Sequence, residues 1–264
     1  MKKDDIGNRM KANYEDRTRI CLPRRSHTII RIDGKAFHTY TRGMNRPFDD
    51  GFMEDMDTTA AYLCKNIQGA KLAYVQSDEI SILLIDYDKL TTDAWFDNNI
   101  QKMASVSASM ATRAFNEARL KRFAYEEGPH TIESCARNMK WAEFDSRVFQ
   151  IPEWVEVENY FIWRQQDCVR NSISSVAQSL YSHKELNGKN TTEMQEMIFQ
   201  KGQNWNDYAL KYKRGRIIMK EHYPVNDVVR SKWVPVEIPI FSQQKDFIIQ
   251  CVKTAGDVFF NPKT

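Results

Sequence analysis

Cysteine is sparse in this 264-residue chain, and its five copies are scattered. Cys21, Cys64, Cys135, Cys168 and Cys251 form no C-x-x-C pair. An odd, dispersed set argues against a disulfide framework or a zinc cluster and makes the reducing cytoplasm the expected compartment. Long apolar runs are missing too. No stretch approaches the roughly 20 apolar residues of a membrane span, and the start, Met1 to Asn8, has lysines but no apolar segment after them, so no secretory signal is expected. There is no internal repeat, no low-complexity tract and no Gly/Ser linker. A GxxxxGK[ST] loop is absent, which removes the P-loop NTPases from consideration. The charge is nearly balanced at +3, so the total does not announce a nucleic-acid binder. The basic residues are nonetheless clustered, at Arg24–Arg25, across Arg113 to Arg122 and across Lys211 to Lys220. Such clusters form either a positive surface for a polyanion or solvated faces of helices and strands.

What is present is an ordinary globular composition, 42% hydrophobic and 28% charged. Residues 5–20 read as a polar helical arm. His27 to Asp33 is a β-rich run that ends in Asp-Gly, a strand entering a turn. From Asp49 to Ile67, Phe52, Met53, Met56, Ala60, Leu63 and Cys64 recur at helical spacing, with Asp49 or Asp50 as the N-cap. Lys71 to Asp86 reads as two strands meeting near Gln76 to Glu79, the second apolar enough for a central position. A long helical pattern covers 95–120, an extended segment 135–148, and helices 153–180 and 191–201. The remainder mixes helix with Val-, Ile- and Pro-rich strand. Strand, helix, strand, strand, helix, strand is the ferredoxin-like plan, an α+β fold with an antiparallel sheet and helices on one face. Residues 1–150 are expected to form this catalytic unit, and 151–264 a mixed helical and strand extension.

Two acidic corners carry the chemistry. One is Arg31-Ile32-Asp33-Gly34 and the other Ser77-Asp78-Glu79. The proposed strand pairing brings Asp33 and Asp78 to one edge of the sheet. Alone, Asp-Gly is an ordinary turn. Two carboxylates interrupting apolar strands side by side are costly to bury unpaired, and they suggest a cation. Mg²⁺ takes one or two carboxylates and fills its remaining positions with phosphate oxygens and water. Two such ions can activate a hydroxyl and stabilise a leaving oxygen. Gly34 lets the backbone approach a metal closely.

Three blocks in order, Ile30-Arg-Ile-Asp-Gly-Lys-Ala-Phe-His38, Ala73-Tyr-Val-Gln-Ser-Asp-Glu79 and Trp163-Arg-Gln-Gln-Asp-Cys168, resemble the signatures of the tRNA-His guanylyltransferase family, as does Arg46-Pro47-Phe48-Asp49. The resemblance spans about residues 5–180. It implies a polymerase-like palm working in the 3′-to-5′ direction. The tRNA 5′ end is activated by ATP or GTP, and the 3′-hydroxyl of an incoming nucleotide then attacks it. By the same resemblance Asp33, Asp78 and Glu79 are the catalytic acids, and Asp33, the Gly34 carbonyl and Asp78 hold two Mg²⁺. Lys35, Ala36, Phe37, His38, Arg46, Asp49, Ser77 and Lys102 meet the nucleotide. Arg164, Asp167, Arg170 and Asn171 meet RNA, and the 151–264 region serves tRNA contact and assembly into a homotetramer. The residues themselves also allow plainer roles. His38 reads equally as a surface histidine and Phe37 as core, while Arg164 and Asp167 can simply pair on a helix.

One departure matters. Where the guanylyltransferases proper have His-Ile-Asn-Asn after the third block, this chain has Val169-Arg170-Asn171-Ser172. That resembles the Thg1-like branch and implies template-dependent repair of truncated tRNA 5′ ends over guanosine addition to tRNA-His alone. A nucleotide cyclase on a similar palm, and a non-catalytic RNA-binding module, are the alternatives. The third block disfavours the first and the acidic pair the second.

Overall fold

The computed structural model describes residues 5–126, 136–137, 139–226 and 228–254. At its centre is one six-stranded sheet, entirely antiparallel, in the order β4-β1-β3-β2-β5-β6. The strands are β1 (His27–Gly34), β2 (Ala70–Gln76), β3 (Glu79–Ile85), β4 (Phe144–Ile151), β5 (Arg216–Val225) and β6 (Val228–Val236). The first four, with helices α3 (Asp50–Asn66) and α4 (Ile100–Glu126) between them, realise the ferredoxin-like plan. β5 and β6 continue the same sheet beyond β2.

The expectation of helices on one face alone is corrected. α3 and α4 pack on one face against Ile30, Ile32, Val75 and Ile82. A long helix, α5 (Trp154–Leu180), and α9 (Phe247–Thr254) cover the other, against Ile29, Leu72, Tyr74 and Leu83. The cause is visible in the strands. β1 and β3 place apolar residues at consecutive positions, Ile29–Ile30 and Ile82–Leu83, so both faces need cover. All seven residues of β3 are buried.

Helix α3 starts where the Asp49 side chain accepts a hydrogen bond from the Phe52 amide at 2.7 Å, an N-cap. The fourth strand lies later than the expected 135–148. Its ends are set by β1, Gly34 opposite Phe144 and His27 opposite Ile151, and Ala136–Arg137 are helical. Cys135 lies outside the described residues. α1 (Asp5–Met10) opens a helical N-terminal arm with no buried residue. Short helices α2 (Phe37–Tyr40), α6 (His183–Leu186) and α8 (Leu210–Arg214), with α7 (Thr191–Gln200), complete the chain. The end of α5 packs with α6 and α7 around Val176, Ile198 and Trp205. None of the described helices is long and apolar enough to cross a membrane.

Candidate functional site

The end of β1 and the β2–β3 hairpin meet at one edge of the sheet. Asp33 lies opposite Glu79 on one side and Asp145 on the other. Asp78 sits in the two-residue turn Ser77–Asp78, which closes the pair Gln76–Glu79. Ser77 has φ of 45°, in the left-handed region that tight two-residue hairpins use. For an L-residue that conformation costs about 1–3 kcal/mol, which the surrounding sheet must hold in place.

The three acids of this corner are held differently. Glu79 is buried and doubly clamped. Arg164 of α5 donates to it from Nε and Nη2, both at 2.8 Å, and Arg31 of β1 from Nε at 2.9 Å and Nη2 at 2.7 Å. Among the described residues Asp33 has only distant cations, Arg147 at 3.7 Å and Arg31 at 3.9 Å. Burial pushes the Asp78 carboxyl up to about 6. The Ser77 hydroxyl and the local backbone oppose that rise, while the negative charges of Asp33 and Glu79 add to it. Asp33 and Asp78 therefore feel one another's charge at this edge, and both remain short of positive charge. Glu79, with two guanidiniums, does not.

Gly34 and Ala36 shape the next turn. A Cβ on Gly34 would lie 2.2 Å from the Phe37 ring, so only glycine lets that ring fold back under the strand end. Ala36 then takes φ of 55° and starts α2. Of the two readings of Phe37, its ring takes the core one. Phe37 is 4% exposed and packs among Tyr40, Phe52, Phe115 and Phe144. The first amides of α2, at the exposed residues Ala36 and His38, remain available to anionic oxygens as at any helix start.

Beside this corner lies a cavity of about 300 Å³, lined by His38, Arg46, Asp49 and Ser77 from the expected nucleotide set and by Asn171 of α5. Asp49 is already engaged. Its two oxygens accept from the amides of Phe52 at 2.7 Å and Asn45 at 3.0 Å, so it shapes the wall. Lys35 turns away and pairs with Glu143. Lys102 is not brought here. It stands over the Phe96 ring at 4.7 Å in the first turn of α4, about 15 Å along that helix from Thr112, which binds the Phe144 amide beside Gly34.

The expected RNA contacts divide as well. Arg164 is 4% exposed and committed to Glu79, and Asp167 bridges Arg164 and Arg170. These are internal pairs, leaving Arg170 and Asn171 as the members that reach surface or cavity. Much of the basic clustering is likewise spent inside the fold. Arg24 pairs with Asp86, Arg119 and Arg122 with Asp55, Lys211 with Asp50 and Arg216 with Asp57. Three residues absent from the expected set stand beside Asp33. Arg31 and Arg147 flank its carboxylate, and Trp163, 46% exposed, stacks on Arg164 at 4.3 Å and lies 5.9 Å from Arg31. Strand alternation already placed Arg31 on the face of Asp33. Trp163 opens the third signature block, whereas Arg147 carries no signal in the sequence.

The chain and its fold have known relatives. The family model for tRNAHis guanylyltransferase (Thg1) matches residues 7–152. A bacterial tRNA(His) guanylyltransferase (Thg1)-like protein, solved in complex with ATP, is 48% identical, with a TM-score of 0.82 over 94% of this chain and 99% of that one. A bacterial Thg1-like protein in complex with GTP is 47% identical, with a TM-score of 0.77 over the same 94% and 99%. The tRNA(His) guanylyltransferase of Saccharomyces cerevisiae is 26% identical, with a TM-score of 0.63 over 80% of this chain and 91% of that one.

Proposed function

The chain belongs to the tRNAHis guanylyltransferase (Thg1) family of nucleotidyltransferases, and from that premise we propose that it extends the 5′ end of tRNA in the 3′-to-5′ direction, copying the opposite strand to repair truncated ends. The observation that carries this is the unequal treatment of adjacent acids, Glu79 neutralised by two arginines and Asp33 and Asp78 left short of cations.

The donor set fits Mg²⁺. Among the described residues no group of three or more His, Cys, Asp or Glu side chains is arranged to hold an ion. Two carboxylates and the Gly34 carbonyl are instead what a hard cation takes when phosphate and water complete its shell. Two bound Mg²⁺ would supply charge for the attacking hydroxyl and the leaving oxygen. Asp33 and Asp78 would hold them, with Ser77 fixing the turn and Glu79 fixing Arg31 and Arg164 behind it. ATP or GTP is the activating substrate, a reading supported by the relatives solved with ATP and with GTP. The triphosphate would run along the first amides of α2 and past His38, with the exposed Arg46 as a cation on the cavity wall. Arg31 and Arg147 would take the RNA 5′ phosphate, and Arg170 and Asn171 the RNA beyond it. The 151–264 region would add tRNA contacts and assemble a homotetramer, and the enzyme would act in the cytoplasm.

Val169 and Ser172, where guanylyltransferases proper have His and Asn, favour repair over guanosine addition to tRNA-His alone. The test offers a tRNA lacking its first 5′ nucleotide beside intact tRNA-His, with each triphosphate in turn. Template-matched addition to the truncated tRNA is expected. Guanosine added only to tRNA-His would refute the repair reading.

A further inference from the structure

Two buried polar atoms beside the cavity have no partner among the described residues. Arg216, the first residue of β5, is 6% exposed, and its Nε donates to both oxygens of Asp57 at 2.7 and 2.9 Å, while its Nη2 meets nothing. Gln76, the last residue of β2, is 2% exposed, and its Oε1 is likewise unpaired. Leaving such a group unsatisfied costs about 1–3 kcal/mol, so each one calls for an explanation. Ser26, Glu158 and His222 also bury an unpaired atom, but none of them lines the cavity, whereas Arg216 and Gln76 both do. Between them the wall is partly aromatic. Tyr212 stacks on Phe48 with centroids 4.7 Å apart and planes 11° from parallel, and both rings line the same space.

We propose that Arg216 and Gln76 read the edge of a purine base on the triphosphate bound in this cavity. The assignment rests on the nucleotide reading above and adds to it the residues that select the base. A guanidinium donates and never accepts. Adenine and guanine share one acceptor on the matching edge, N7, and pyrimidines have no equivalent. Beside N7, adenine offers an amino donor and guanine a carbonyl acceptor. The Gln76 amide meets either, accepting through Oε1 or donating through Nε2 after a half-turn. Arg216 thus selects purines, and Gln76 tolerates both of them. Asp57 holds the guanidinium in place.

Calorimetric titration of the full chain in Mg²⁺ with ATP, GTP, CTP and the 7-deaza forms of the two purine triphosphates tests this directly. The 7-deaza compounds, which replace N7 by a carbon, are expected to bind about tenfold more weakly than their parents, and CTP more weakly still. Gln76→Glu, which can only accept, should keep ATP and weaken GTP by a similar factor. Arg216→Met, whose side chain has no donor, should erase the 7-deaza difference. Because that change strands Asp57, the double variant Asp57→Asn/Arg216→Met is measured beside it. Equal binding of ATP and 7-deaza-ATP by the unaltered protein overturns the base-edge assignment and leaves the nucleotide site standing. No binding of either purine triphosphate overturns the nucleotide reading, and this assignment with it.

Discussion

Arg164 grips Glu79 with two hydrogen bonds of 2.8 Å, fork to fork, although both side chains are almost wholly buried. Glu79 follows Asp78 directly and looks from the sequence like a third catalytic acid. Its two guanidinium partners support the proposed positioning role. Removing one partner of a buried ion pair costs about 3–5 kcal/mol, because the other charge stays behind. Arg164→Ala is therefore expected to lower the urea midpoint, and Glu79→Gln to do so as well, because it takes the charged partner from Arg31 and leaves Arg164 with Asp167 alone. Arg164→Lys should not rescue, since an ammonium lacks the planar fork. Unchanged unfolding curves for these variants would show that the clamp holds nothing together.

The Asp78 carboxyl, pushed up to about 6 mainly by burial, gives a pH dependence with a definite sign. Between its ordinary value of 3.8 and about 6 the folded chain holds a proton that the unfolded chain has released. Stability from this group is full below the lower value and is lost as pH rises through the upper one. In EDTA at pH 7, Asp78→Asn is therefore expected to be more stable than the parent, by about 1–3 kcal/mol, and the gap should close near pH 4. Mg²⁺ should stabilise the parent and not the variant, and nucleotide transfer should be absent from the variant. Equal melting temperatures at both pH values would remove the strained-carboxylate account.

Gly34 is constrained by sterics more than by backbone freedom. A methyl placed there would overlap the Phe37 ring at 2.2 Å, and that ring is locked among Phe52, Phe115 and Phe144. Gly34→Ala should cost about 1–3 kcal/mol, as overpacked core positions do. It should also weaken ATP binding by displacing Ala36 and His38. The double variant Gly34→Ala/Phe37→Leu, which makes room, should recover most of the stability. Failure of that recovery would place the glycine's role elsewhere.

The central fold was legible in the sequence because its strands alternate or run apolar and its helices keep their period. Asp33 and Asp78 could be placed on one edge by pairing logic alone. The side chains that turn this corner into a site were harder to read. Nothing local distinguishes Arg164, a buried clamp, from Arg170, an exposed residue one and a half turns on. Phe37 sits in a functional block yet serves the core, since its neighbours in space come from α3, α4 and β4. In sequence the β5–β6 pair shows only strand-like pieces, and its place beside β2 depends on a contact between residues about 140 apart, Val75 and Arg216. Arg147 reaches Asp33 only because β4 pairs with β1 in the register that sets Arg147 opposite Arg31.

The basic run from Arg113 to Arg122 reads in sequence as a positive surface or as a solvated helix face, and the fold gives two of its residues, Arg119 and Arg122, to neither. Asp55 of α3 is 1% exposed, and its burial is answered by Arg122 at 3.0 Å and Arg119 at 3.3 Å. Burial pushes the Asp55 carboxyl up while the two guanidiniums hold it down, so the pair joins α3 to α4 across the sheet's first face. Arg119→Gln with Arg122→Gln is expected to destabilise the protein by about 3–5 kcal/mol. An arginine that contacts RNA phosphate contributes about 0.7–0.9 to the slope of log affinity against log salt. Below the double variant's unfolding temperature its tRNA slope should therefore match the parent's. A slope shallower by about 1.5, with stability unchanged, would return these arginines to the RNA surface and take them out of the core.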